Sequence, residues 1–184
     1  SALLAGLKRY TANTTAVVTV TDNGGSSGRL RNDFNMVGPR DIRNCLIALA
    51  DVDPIVAKVF QYRFHEAEFK DHNFGNLFIT VLTRVVGSFG DSIRILNRLL
   101  NVQGRVIPAS DAKVSLVAHH SDGTKSTGEV EITRSRKRIE RIEAAWVSRR
   151  AVETLHRGVD GVAHRHACLV EARDAALDDL FFAV

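Results

Sequence analysis

Asp22-Asn23-Gly24-Gly25-Ser26-Ser27-Gly28-Arg29-Leu30-Arg31 is where this chain concentrates side chains able to do chemistry. Three glycines in five positions free the backbone for positive φ and for close approach to a ligand. Consecutive exposed amides in such a turn form an anion-binding concavity. Ser26 and Ser27 add hydroxyls, and Arg29 and Arg31 add permanent charge suited to phosphate. The expectation is a loop, Gly24 to Gly28 with Asn23 before it, that holds a phosphate-bearing ligand. The plain alternative is a flexible surface loop, which the same composition also marks. Asp22 is the one catalytic candidate, since a carboxylate at a strand's end can hold magnesium or accept a hydroxyl proton. An aspartate in a loop also serves as a turn or cap residue, and no second carboxylate is evidently paired with it.

Two further stretches could wall the same site. Gly38-Pro39-Arg40-Asp41 opens a helix, with proline tolerated in its first turn and Asp41 facing the positive end of the dipole. Arg40, Arg43 and Asn44 fall near that N-terminus, where free amides and cations can share an anion. Arg40 and Arg43 could equally pair with Asp33 or Asp41. Asp71-His72-Asn73-Phe74-Gly75-Asn76 is a polar loop before a second helical stripe, and it offers His72, Asn73, Gly75 and Asn76. Asn73 has the type of a helix cap.

The elements that must position these residues follow from periodicity. Leu3, Leu4 and Leu7 have helical spacing, and Ala16 to Thr21 is an apolar, β-branched run of the kind buried on both faces of a sheet. Ile42, Cys45, Leu46 and Leu49 give the helix after Pro39 its apolar stripe. Asp53-Pro54 caps another helix. Leu77, Phe78, Val81, Leu82 and Val85 mark the next, and Ser88 to Asn101 a further one with Ile93, Leu96, Leu99 and Leu100 inward. Val106-Ile107-Pro108 is a brief strand. Residues 113–132 read as a β-hairpin around Asp122-Gly123, with Gly128 to Ile132 returning. Residues 133–184 read as basic and helical: Ile139, Ile142 and Trp146 in phase, a second piece over Val152 to Leu155, and a closing helix from Leu169 to Leu180.

The whole chain has 184 residues and a net charge of +4, with 45% apolar residues, which suits one globular domain. Arg134, Arg136, Lys137, Arg138, Arg141, Arg149 and Arg150 cluster the charge, but Glu140 and Glu143 dilute it, and no nucleic-acid partner is expected. No run is long enough to span a membrane and no leader pattern opens the chain, so a cytoplasmic protein is expected. Cys45 and Cys168 lack nearby cysteine partners, which suits a reducing compartment and neither a disulfide nor a zinc site. His164-Arg165-His166 has no carboxylate or cysteine to complete a ligand set, so no metal site is expected there. The opening, already helical and without methionine, suggests that something upstream is missing.

Thr21 to Arg31 followed by Gly38-Pro39-Arg40-Asp41-Ile42-Arg43-Asn44-Cys45-Leu46 resembles the CofD-like family, in its YvcK-type branch of gluconeogenesis factors. His72-Asn73-Phe74-Gly75-Asn76-Leu77 and Leu99-Leu100-Asn101-Val102-Gln103-Gly104-Arg105-Val106-Ile107-Pro108 match that branch too. The resemblance implies an α/β, Rossmann-like three-layer fold with a mostly parallel sheet and an added hairpin, in a bacterial cytoplasm. It implies a nucleotide-type ligand, UDP-N-acetylglucosamine in this branch, and a role in cell shape and cell-wall control, with protein partners there and a homo-oligomer as further expectations. It carries no established catalysis. The family's opening Gly-Gly-Gly-Thr-Gly loop and its later Gly-Pro-Gly-Ser loop have no counterpart here, so the chain is expected to be incomplete. The leading reading is a sugar-nucleotide-binding regulatory protein. The alternative is a CofD-type transferase that moves a phospholactyl-like group from a nucleotide diphosphate to an alcohol with Mg²⁺. A scaffold acting through the basic stretch and hairpin is a third.

Overall fold

The computed structural model describes residues 1–146 and 182–183. Helix α1 (Ala2–Leu7) starts at Ser1, whose hydroxyl accepts the Leu4 N–H, and it buries Leu4 alone. Strand β1 (Thr15–Val18) is shorter than its apolar run. Its burial alternates, with Val17 39% exposed between buried Ala16 and Val18, so it packs one face and not two. After it come α2 (Gly25–Asp33), α3 (Arg40–Leu49), α4 (Pro54–Gln61), α5 (Phe74–Val86) and α6 (Phe89–Leu99), then β2 (Arg105–Pro108). Although five helices separate them, β1 and β2 pair in parallel, from Thr15 opposite Arg105 to Val18 opposite Pro108.

Sequence rules account for most helix starts. Asp53 accepts the Ile55 N–H with Pro54 in the first turn, Asn73 accepts from Asn76, and Ser88 accepts from Asp91. Ile42, Cys45, Leu46 and Leu49 of α3 are all buried, as their spacing predicts, and pack with Ile79, Ile93, Leu96 and Val106 into one core. Two stripes differ from expectation. Leu99 is exposed, and on α5 Val81 and Val85 point outward while Asn76, Ile79 and Thr80 are buried. That helix turns a partly polar face inward because its N-terminal end packs on α2, where polar partners await.

The second sheet is antiparallel, in the order β4-β3-β5. Strands β3 (Val114–His120) and β4 (Lys125–Thr127) form the expected hairpin, with the Asp122 carboxylate accepting the Thr124 N–H at 3.0 Å. The return ends sooner than predicted: Glu129–Ser135 is helix α7, which buries Ile132, and not a strand. Residues 139–146 correct the helical reading in turn, forming strand β5 (Ile139–Trp146) against β3. The cause is a β-bulge. Ile139 lies opposite His120 and Ile142 opposite Ala118, leaving Glu140 as the extra residue. Two isoleucines three apart thus reach one face of a strand, a spacing otherwise diagnostic of a helix. A short β6 (Phe182–Ala183) pairs antiparallel with β1. Val152 to Leu155, His164 to His166, Cys168 and Leu169 to Leu180 lie outside the described residues. The result is an α/β fold with a parallel pair and a separate antiparallel hairpin sheet, as expected. Among the described residues no helix is long and apolar enough to cross a membrane.

Candidate functional site

The glycine–serine stretch is not a loop. Gly24 is the N-cap of α2, and Gly25, Ser26 and Ser27 are its first turn. Poor helix formers hold a helix here because tertiary contacts override propensity. A Cβ on Gly28 would lie 2.1 Å from the Asn23 carbonyl oxygen, so only glycine lets the helix fold back on the turn before it. Arg31 anchors the far end. It is 3% exposed and donates to the carbonyls of Val20 and Val114 and to Ser115 Oγ, tying the turn to the hairpin sheet. Its charge braces the fold and does not face a ligand, which corrects the phosphate role expected of it. Arg29 is exposed and donates to the Lys70 carbonyl at 2.9 Å.

Among the described residues no side chain caps α2, so its first-turn amides and its positive dipole end stand ready for an anion. Ser27 Oγ, fully buried in that turn, has no hydrogen-bond partner among the described residues. Ser26 Oγ accepts from the Asn73 N–H and from Asn76 Nδ2, both at 3.4 Å, and lies 3.3 Å from His72 Nδ1. The serine of the first stretch and three residues of the third thus meet at one point.

Arg43 brings in the second stretch. It donates from Nη1 to Asn76 Oδ1 at 2.9 Å and from Nη2 to Asn44 Oδ1 at 2.7 Å. Gly75 lets it pass: a Cβ there would sit 2.7 Å from Arg43 Cδ and 2.5 Å from the Phe60 carbonyl oxygen. Arg43 is buried without a carboxylate partner among the described residues. Burial and the nearby Arg63 and Arg40 guanidinium groups push its pKa down to about 10. Burial, then Arg29, lowers that of His72.

Asp22 forms the opposite edge. It is buried, Oδ1 accepts the Gly24 N–H at 3.0 Å, and Oδ2 lies 3.2 Å from Arg40 Nε in an ion-pair contact that lacks hydrogen-bond alignment. Arg40 also approaches Asp41 at 3.6 Å, so its partners are Asp22 and Asp41, not Asp33. Asp22 has carboxylate company after all. Burial first, and Asp22 among the causes after it, raises the pKa of both Asp41 and Glu129. Glu129, which accepts from Thr21 Oγ1, is the residue that sequence reasoning missed; it follows a hairpin, and nothing in its neighbours signals the site. Asn23 lends Oδ1 to the Val130 N–H at 3.2 Å, so its side chain is committed to α7. Among the described residues no three His, Cys, Asp or Glu side chains are placed to hold an ion, and a guanidinium already stands at Asp22 Oδ2.

The family whose model is described as 2-phospho-L-lactate transferase CofD matches residues 1–170. A protein of Bacillus subtilis strain 168 named gluconeogenesis factor is 44% identical over 143 residues, covering 77% of this chain and 45% of its own. Its counterpart in Halalkalibacterium halodurans is 38% identical over 163 residues, covering 88% and 50%. A crystal structure of a Bacillus halodurans protein of the UPF0052 family superposes with a TM-score of 0.76 at 41% identity, over 78% of this chain and 47% of that one. The chain spans about half the length of these relatives.

Proposed function

We propose a ligand-binding, regulatory role for this chain, which belongs to the CofD family and, within it, to the gluconeogenesis-factor type. Its ligand is an anion of the nucleotide-diphosphate class, a UDP-sugar such as UDP-N-acetylglucosamine. The observation that carries this reading is the N-terminus of α2, which no side chain among the described residues caps, with the Ser26 and Ser27 hydroxyls in its first turn and Arg40 and Arg43 of α3 beside it. The diphosphate would sit on the amides of Gly25, Ser26 and Ser27, with Arg40 and Arg29 at its rim. Asn44 would face the sugar or base, whereas Asn73 and Asn76 serve by holding Ser26. Regulation follows if the ligand prefers one arrangement of the Ser26 to Gly38 segment, because only differential affinity shifts a population. Control of cell shape and cell-wall synthesis in a bacterial cytoplasm is the physiological setting we propose with it.

The test is calorimetric titration with UDP-N-acetylglucosamine, with and without Mg²⁺, with NAD and GDP as competitors. Micromolar binding, about 8 kcal/mol, that weakens at least tenfold in the Ser26→Ala, Arg29→Ala double variant and gives no turnover supports a regulatory binder. Turnover lost in Asp22→Asn would favour a CofD-type transferase instead. No binding to any nucleotide overturns both.

A further inference from the structure

The donors around Ser26 Oγ settle where its proton goes. Arg43 can only donate, so the Asn76 atom beside it is Oδ1 and the one facing Ser26 is Nδ2. Asn73 contributes its backbone N–H. Both lone pairs of Ser26 Oγ are then occupied by donors, and among the described residues its hydroxyl proton has one acceptor left, His72 Nδ1 at 3.3 Å. His72 is accordingly neutral, with its own proton on Nε2. In this arrangement the Ser26 hydroxyl offers no proton to an anion at the start of α2, although it belongs to that turn.

A proton on Nδ1 reverses the arrangement. Imidazolium has no acceptor, so Ser26 can no longer donate to His72; its hydroxyl proton turns to an anion held on the first-turn amides, and the Nδ1–H competes with the Asn73 and Asn76 donors for the Ser26 lone pairs. The new charge adds to the attraction. We infer that an anion enters this site together with a proton on His72, which makes His72 the positioning residue for the Ser26 hydroxyl and ligand binding proton-linked. The charged groups acting on His72 are Arg29 and Asp33 of α2 and its own neighbour Asp71. Of these Arg29 opposes the imidazolium, and an anion drawn to Arg29 offsets that opposition. The inference rests on the reading that the start of α2 binds an anion.

UDP-N-acetylglucosamine is the suitable probe, because its diphosphate is esterified at both ends and stays fully ionised across the range. Titrations of the whole chain from pH 8 to pH 5.5, in buffers of different ionisation enthalpy, read affinity and proton uptake together. Affinity is expected to rise up to about tenfold per pH unit around the pKa of His72, with uptake approaching one proton. In His72→Gln both the rise in affinity with falling pH and the proton uptake disappear. On the unmodified protein, the pKa from the His72 imidazole resonances should be higher with probe than without. Binding with no proton uptake, uptake that survives in His72→Gln, or an unchanged His72 pKa each overturns the inference while leaving the anion site standing. Absence of binding at every pH overturns both.

Discussion

Replacing Arg43 by methionine should separate stability from ligand binding. The lowering of its guanidinium pKa to about 10 corresponds to about 3 kcal/mol set against the charged form in the folded state. A depressed basic group is protonated in both folded and unfolded chains below pH 10, so the penalty applies in full at neutral pH and fades only as pH rises above about 10. Methionine removes the charge, keeps a flexible stem beside Gly75, and lifts that penalty. Against it stands Asn76 Oδ1, which is buried and loses its donor, a cost of about 1–3 kcal/mol. Asn44 is exposed, so water replaces its donor at little cost. The two effects nearly cancel, and the net change should lie within about 2 kcal/mol of zero, or less than about 8 °C in Tm. Binding should fall nonetheless. With Arg43 gone the Asn76 amide is free to flip, which would turn Oδ1 toward Ser26 and rearrange the hydroxyl. Differential scanning calorimetry beside a UDP-N-acetylglucosamine titration checks both halves. A melting point lowered by 15 °C or more would refute the charge accounting, and unchanged affinity would refute the orienting role.

Arg31→Met should behave in the opposite way, losing about 2–5 kcal/mol in urea unfolding, since it leaves the buried carbonyls of Val20 and Val114 without their donor; a neutral outcome would sink its role as the tie between turn and hairpin. Gly28→Ala should destabilise by about 1–3 kcal/mol despite alanine's higher helix propensity, because its Cβ meets the Asn23 carbonyl. Gly6→Ala in α1, with no atom within 4 Å of the new methyl, should instead stabilise by about 0.5–1 kcal/mol; equal effects at the two sites in thermal melts would remove the steric argument. Burial pushes the Cys45 thiol up to about 11, so in a Cys168→Ser background its alkylation at pH 8 should track global unfolding in urea. Rapid labelling of the native protein would contradict its burial.

What could be read from the chain beforehand divides by the range of the forces involved. Caps at Asp53, Asn73 and Ser88 and the stripe of Ile42, Cys45, Leu46 and Leu49 depend on neighbours two to four residues away, and these were legible. Ser26, His72, Asn73 and Asn76, offered by two separate stretches of the sequence, do converge. Their conformation was not legible. The Gly24 to Gly28 stretch is helical because of contacts to Asn23 and to carbonyls up to 83 positions away, which no local propensity encodes. Glu140 hides a strand by adding one residue between Ile139 and Ile142, a change of period that only the partner strand reveals. Arg31 looked like Arg29 on paper, and burial alone distinguishes a brace from a rim charge.

The bonds from Thr21 to Glu129 and from Val130 to Asn23 tie the turn before α2 to a helix that begins more than a hundred residues later. During synthesis on the ribosome, the first strand and the helices around His72 and Arg43 emerge long before that helix exists. Closing a loop of this span costs on the order of 4 kcal/mol of chain entropy, so the turn acquires its final shape late, after the hairpin has formed. A nascent or truncated chain that ends before residue 128 would hold the Asn76 and Arg43 half of the site without the Asp22 and Asn23 half secured. Ligand competence would then report that translation has passed the hairpin, and a ligand present in the cell could act on new chains only after that point.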